Sequence, residues 1–148
     1  MSTEYHNPYS TSTRWLRGNL HHHTCCGGFM DISESGPLFA RLGYDFIAVT
    51  DHNTIEGALE VRRIAPFLVI IGEEVTSSEG EVTGLFLREL VPKGLSPSET
   101  AKRIKDQGGL VSIPHPFDRF RRNVISEKGL TELIPYADIV EAFNSRNN

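Results

Sequence analysis

Short apolar runs alternate along this chain with stretches whose apolar positions recur every three or four residues, a pattern that predicts strands separated by helices. Residues 16–20 read as a short strand, and Phe46-Ile47-Ala48-Val49 and Phe67-Leu68-Val69-Ile70-Ile71 as strands buried on both faces. Residues 82–87 read as a further strand, returning by a hairpin from Val75-Thr76 through Ser78 and Gly80. Leu110-Val111-Ser112-Ile113 is the next, and a last one opens at Ile139-Val140 and runs into Ala142-Phe143. Helices are predicted over 35–42, stopped by Gly43, and over 54–65, with Ile55, Leu59 and Ile64 on the apolar side. A third starts at Ser96-Pro97-Ser98-Glu99 and continues to Gly108-Gly109, and a short one covers 131–136, stopped by Pro135. This order predicts a parallel α/β architecture, either a barrel or a doubly wound sheet.

The 148 residues make one domain's worth of chain. Residues 1–14 read as a disordered or extended tail with no role for His6, and 15–148 as the domain. Fifteen basic residues against 19 acidic ones leave a formal charge of −4, which gives no electrostatic reason to expect a stable nucleic-acid complex. No apolar run approaches the ~20 residues that span a bilayer, and the N-terminus lacks the apolar core of a signal peptide. A cytoplasmic protein with no membrane partner is expected. Cys25 and Cys26 are adjacent, too close for relaxed disulfide geometry, and fit a reducing compartment as small filler residues.

Candidate chemistry gathers where the apolar runs stop. His21 and His23 end the first, and alternation along a strand points both imidazoles to one face and His22 to the other. Asp51-His52 follow the second, Glu73-Glu74 the third, His115 the fifth, and Glu141 to Asn144 the last. Of Glu73 and Glu74, alternation lets only one face the site. Asn53 could cap the following helix. In parallel α/β folds the strand C-termini share the face where ligands bind. Buried imidazoles and carboxylates crowded together cost several kcal/mol of desolvation unless a cation compensates them. Metal binding is therefore the reading this set supports.

Taken in order, these residues resemble the PHP (polymerase and histidinol phosphatase) family. His21-His22-His23-Thr24 matches its His-x-His opening, and Thr50-Asp51-His52-Asn53 its Thr-Asp-His motif. Gly72-Glu73-Glu74-Val75-Thr76 matches its Gly-x-Glu motif, which selects Glu74 as the ligand, and His115-Pro116-Phe117-Asp118 its later His-Pro. Gly43-Tyr44-Asp45-Phe46 and Gly108-Gly109-Leu110-Val111 resemble spacers of the small phosphoesterase branch. The resemblance implies a distorted (β/α)7 barrel that holds two or three divalent ions (Zn, Mn or Fe) and hydrolyses phosphoesters. The sequence departs from the family in three places. Cys25-Cys26-Gly27-Gly28-Phe29, with Asp31 beyond, stands where a further ligand is usual; Thr83 stands where a histidine is frequent; and no closing Asp-x-His appears before Asn148. The barrel is accordingly expected to be incomplete at its C-terminus, with exposed strand edges that favour self-association.

The implied metal ligands are His21, His23, Asp51, His52, Glu74 and His115, with catalytic roles for Asp51, His52 and Glu74. In that scheme His21, His23 and Glu74 hold one ion, Glu74 bridges to a second on His115, and Asp51 and His52 serve a third position or stand behind the ligands. Ions about 3.5–4 Å apart lower the pKa of a shared water and supply hydroxide for in-line attack on phosphorus. Arg119, Arg121 and Arg122 are placed to clamp the phosphate of a phosphorylated small molecule or nucleotide. Two rival readings remain at this stage: a non-catalytic metal-binding module of the same fold, and an amidohydrolase-type enzyme, which also opens on His-x-His.

Overall fold

The computed structural model describes residues 15–24, 32–116, 118, 120–121 and 123–142. Six strands and four helices follow one another as β1 (Gly18–His22), α1 (Ile32–Arg41), β2 (Phe46–Val49), α2 (Glu56–Ile64), β3 (Leu68–Ser77), β4 (Gly80–Leu85), α3 (Pro97–Asp106), β5 (Leu110–Ile113), α4 (Glu127–Leu133) and β6 (Ile139–Val140), with a 3₁₀ turn at Ile134–Tyr136 before β6. The strands form one sheet in sequential order. β1, β2 and β3 run parallel, β4 is antiparallel to both β3 and β5, and β6 is parallel to β5. The hairpin expected from Val75-Thr76 through Ser78 and Gly80 sets β4 antiparallel within the otherwise parallel pattern. The Ser78-Glu79 turn is too short for the crossover that a parallel neighbour requires, so the chain reverses. The sheet curls until His21 on β1 lies 3.2 Å from Glu141, just past β6. This is a mixed α/β half-barrel, and among the described residues no pairing joins β1 to β6.

Alternation along each strand sorts the side chains. On the outer face Ile47, Val49, Val69, Ile71, Val75, Val82, Val111 and Ile113 meet Phe39, Ala58, Val61, Ala101, Ile104 and Leu133 of the four helices in the main core. The inner face carries a smaller cluster of Ala48, Ile70 and Leu85, with Phe46, Leu110 and Ile139 packed against it. Polar residues share that inner face farther along the strands. β2 and β3 are apolar on both sides because both sides are covered.

Local differences from the sequence pattern have local causes. β3 does not stop at Ile71 but continues through both glutamates to Ser77, since β4 supplies its ladder partners. α4 begins at Glu127 rather than 131, with Ser126 accepting from Gly129 N at 3.0 Å. Pro135 falls within the 3₁₀ turn. Asn53 does not cap α2. It adopts φ 55°, and its side chain instead pairs with Thr76, accepting from the backbone N at 2.8 Å and donating to Oγ1 at 3.0 Å. No helix among the described residues is long and apolar enough to cross a membrane.

Ile104 of α3 is fully buried, and a Cβ on Gly84 or Gly109 would come within about 3 Å of it, so the two glycines leave room for this helix to sit close on the sheet. Ile104→Ala is expected to lower unfolding free energy by about 2–5 kcal/mol in urea titration, through lost burial and the cavity left behind.

Candidate metal centre

A β-bulge aims the first histidine pair. Gly18 and Asn19 of β1 pair with Phe46 and Ile47, but His22 pairs with Val49, so β1 holds one more residue than its partner over this span. Asn19 Oδ1 accepts from His21 N at 2.9 Å and pins the irregularity. Beyond it the alternation expected from the sequence holds. His21 and His23 turn inward with their Nε2 atoms 3.0 Å apart, while His22 turns out against the Phe39 ring and Ser35 Oγ. Burial and the neighbouring His23 lower the His22 pKa.

Glu74 lies at the middle of the cluster, fully buried on the inner face of β3. Its Oε1 is 3.3 Å from His21 Nε2 and 2.8 Å from His115 Nε2. Its Oε2 is 3.3 Å from His23 Nε2 and 3.2 Å from His52 Nδ1. His52 arrives on the segment after β2, which makes a single parallel bridge to Glu74. His115 is held between two prolines at φ 29°, a sparsely populated backbone state that costs about 1–3 kcal/mol and is typical of functional sites. Two sets of donors result: His21, Glu74 and His115, and His23, His52 and Glu74.

The donor atoms suit cations better than they suit one another. Ligands at ~2.0–2.1 Å from one tetrahedral ion stand roughly 3.3 Å apart, close to the separations seen here. Glu74 Oε2 has two imidazole nitrogens within 3.3 Å, yet none at hydrogen-bonding angles, and Nδ1 of His23 and of His115 are likewise buried without a hydrogen-bond partner. Burial would raise the Glu74 pKa, but the imidazoles of His115, His21 and His23 outweigh it and hold the carboxyl far below the usual range. For His21 burial pulls downward, while the carboxylates of Glu141 and Glu74 prevail and raise it to about 9.

The surrounding residues divide by face. Glu141 Oε2 accepts from His115 N at 2.7 Å and lies 3.2 Å from His21 Nδ1, so it joins the two edges of the sheet and orients the His21 ring with Nε2 toward Glu74. Asp51 is fully buried but lies outside both donor sets. Its carboxylate accepts from Thr24 N at 2.6 Å and Thr24 Oγ1 at 2.5 Å, in space left by Gly57. Glu73 faces away from the centre and accepts from Val91 N at 2.9 Å, and burial pushes its pKa to about 7. Arg121 reaches into the cluster, with Nη1 2.6 Å from His115 Nε2 and 4.0 Å from Glu74 Oε1. Arg119, Arg122, Cys25, Cys26, Asp31 and Asn144 lie outside the described residues.

Sequence reasoning missed Glu81, which is buried at the start of β4 on the face of Glu74, and marked Glu141 only as one of the polar residues that follow the last apolar run. The expected hairpin carried part of the Glu81 signal, but only the two-residue length of its turn sets Glu81 beside Thr76. Thr83 pairs across from Glu74, and its buried hydroxyl has no hydrogen-bond partner. With Ser112, His21 and Glu141 it lines a cavity of about 500 Å³ between β1 and β6.

No protein-family model matches the chain. It is 50% identical over 117 residues to the uncharacterized protein MJ1587 of Methanocaldococcus jannaschii, an overlap covering 69% of this chain and 68% of that one. The uncharacterized protein MJ0417 of the same organism is 38% identical over 105 residues, or 67% of this chain, which spans about two fifths (40%) of that relative. Among solved structures, one from Bifidobacterium adolescentis, provisionally described as a metal-dependent phosphoesterase, superposes with a TM-score of 0.65 at 15% identity, over 85% of this chain and 77% of that one. An amidohydrolase from Chromobacterium violaceum, solved with bound sulfate and no metal, gives a TM-score of 0.60 at 15% identity, over 84% and 76%. At such identity the likeness is one of fold.

Two measurements test this geometry. In the metal-free protein the raised His21 pKa stabilises the fold fully below the ordinary value of 6.5, and that contribution is lost as pH rises through about 9. A cation must displace the same proton. Metal affinity is therefore expected to climb between pH 6.5 and 9, by up to about tenfold per unit for one proton released, in chelator competition; a flat profile contradicts the assignment. Glu141→Gln is expected to weaken metal binding by about 10–100-fold at constant pH, because the ring it orients belongs to the His21, Glu74 and His115 donor set.

Proposed function

The chain belongs to the family of the Methanocaldococcus jannaschii protein MJ1587, and on the metal centre its strand ends assemble we propose that it is a metal-dependent phosphoesterase of the PHP type. The observation that carries this reading is Glu74, whose two oxygens each face a different pair of imidazoles: His21 and His115 on one side, His23 and His52 on the other. This partition differs from the scheme in which His21 and His23 share one ion. Two divalent ions (Zn, Mn or Fe) held there would supply Lewis acidity and lower the pKa of water to near neutral.

The chain's own residues do the rest. Glu141 fixes the His21 tautomer, and Asp51, by gripping Thr24, ties the end of β1 to the segment that presents His52. Arg121 brings a guanidinium to the edge of the centre, where it can pair with two oxygens of a phosphoryl group. This cation favours a phosphoester over a neutral amide as substrate. Arg119 and Arg122 extend the same basic segment. The substrate is a phosphorylated small molecule or nucleotide, handled in the cytoplasm by a protein with no membrane partner. Residues 15–148 belong to a (β/α)7 barrel of which the described residues supply six strands, and the outer edges of β1 and β6, which pair with no further strand among the described residues, favour self-association.

Purified chain loaded with Mn²⁺ or Zn²⁺ is expected to release phosphate from p-nitrophenyl phosphate or mononucleotides, and His21→Ala with His23→Ala to lose bound metal and at least about 100-fold of that activity. Metal bound by the parent chain without turnover of any phosphoester would leave a non-catalytic metal module in its place. Hydrolysis of amides instead of phosphoesters would assign the site to amidohydrolase chemistry.

A further inference from the structure

Glu81 has only 3% of its surface exposed, although it begins a strand just after a turn. The register of the hairpin, with Glu74 opposite Thr83 and Thr76 opposite Glu81, puts it on the face that carries Glu74. Its Oε1 is 3.4 Å from His52 Nδ1 and its Oε2 is 3.4 Å from His115 Nε2. Asn123 Nδ2 donates to Oε1 at 3.3 Å, and Arg121 Nη1 stands 3.9 Å from Oε2.

Two imidazole nitrogens thus each face two carboxylates: His52 Nδ1 meets Glu74 at 3.2 Å and Glu81 at 3.4 Å, and His115 Nε2 meets them at 2.8 and 3.4 Å. A ring nitrogen carries either one proton or one lone pair, so hydrogen bonding can satisfy one carboxylate at most. His115 Nε2 cannot donate to Glu74 while also accepting from Arg121 Nη1, 2.6 Å away. Two buried carboxylates that face the same imidazoles also repel one another when both are ionised. Donors that converge without complementary protons are what a shared cation resolves.

We propose that Glu81 is a second carboxylate bridge of the metal centre, spanning the His52 and His115 halves in parallel with Glu74. Each half then draws on two imidazoles and two carboxylates: His21 and His115, or His23 and His52, with Glu74 and Glu81 common to both. The inference rests on the metal-centre reading above and adds to it a ligand that the sequence motifs do not contain.

Metal content of the full chain by mass spectrometry after gel filtration, with affinities from chelator competition using Zn²⁺ and Mn²⁺, tests it. The parent chain is expected to hold two ions. Glu81→Ala is expected to bind the second at least tenfold more weakly, and Glu81→His, which restores a donor, to hold two. Glu73→Gln, on the opposite face of the same strand pair, is expected to keep both and so separates ligand loss from general damage to the hairpin. Should Glu81→Ala fail to fold, a zinc-soaked crystal of the parent chain decides: Glu81 oxygens about 2.0–2.2 Å from the ions support the bridge, and oxygens beyond hydrogen-bonding range of every ion overturn it. Two ions bound with parental affinity by a folded Glu81→Ala overturn this inference alone. A parent chain that binds no divalent ion overturns the metal centre with it.

Discussion

A fully buried carboxylate is the constraint on which the rest of this structure depends. Glu74 has no contact with water, and an ionised group in that position is tolerated only where other charges or hydrogen-bond donors replace the solvent. Four imidazoles surround it, delivered by β1, by the segment after β2 and by the loop after β5. None of these segments is near another in sequence. They meet because β1 and β2 end beside Ile71 of β3, just before Glu74, and because the sheet curls far enough for β5 and β6 to face β1. The helices matter to the chemistry by holding that curl from outside, with Ile104 and Leu133 filling the space behind the sheet.

Adjacent residues of one type have been given opposite tasks by strand geometry alone. Glu73 and Glu74 are both fully buried, but one points among aliphatic side chains and the other among imidazoles. Burial without a compensating cation leaves Glu73 near pKa 7 with a single backbone donor from Val91. The same burial around Glu74 is overcome by three histidines. His21, His22 and His23 repeat the lesson, with the middle ring turned toward Phe39 and the outer two toward the centre. Here the face a residue occupies decides its protonation more than its identity does.

What could be read from the chain follows from range. His21, His23, His52 and His115 were legible because each stands at or just past an apolar run, whereas the choice of Glu74 over Glu73 came from its resemblance to the Gly-x-Glu motif. The helix capped by Ser96 was legible because its signal is contained in four residues. Glu141 was marked at the end of the last run, but its role was not legible, since that depends on how far the sheet curls, which no local pattern encodes. Glu81 needed the exact length of the hairpin turn. Asp51 could be placed at the strand end, but its engagement with Thr24 depends on a glycine in another element, Gly57, leaving room. Asn53 illustrates competition between two local options: the cap was available, and the cross-strand partner Thr76 won.

The β3–β4 turn has a bearing on how this fold tolerates change. Surface turns commonly absorb insertions and deletions, but Ser78-Glu79 works as a gearwheel between two environments. Side chains along β4 alternate between the aliphatic core and the polar lumen, so a shift of one residue would carry Glu81 and Thr83 into the core and Val82 among the histidines. A loop that looks peripheral is therefore bound to a fixed length, and variation among related chains should collect instead in the crossover segments, where a change of length leaves the pairing untouched.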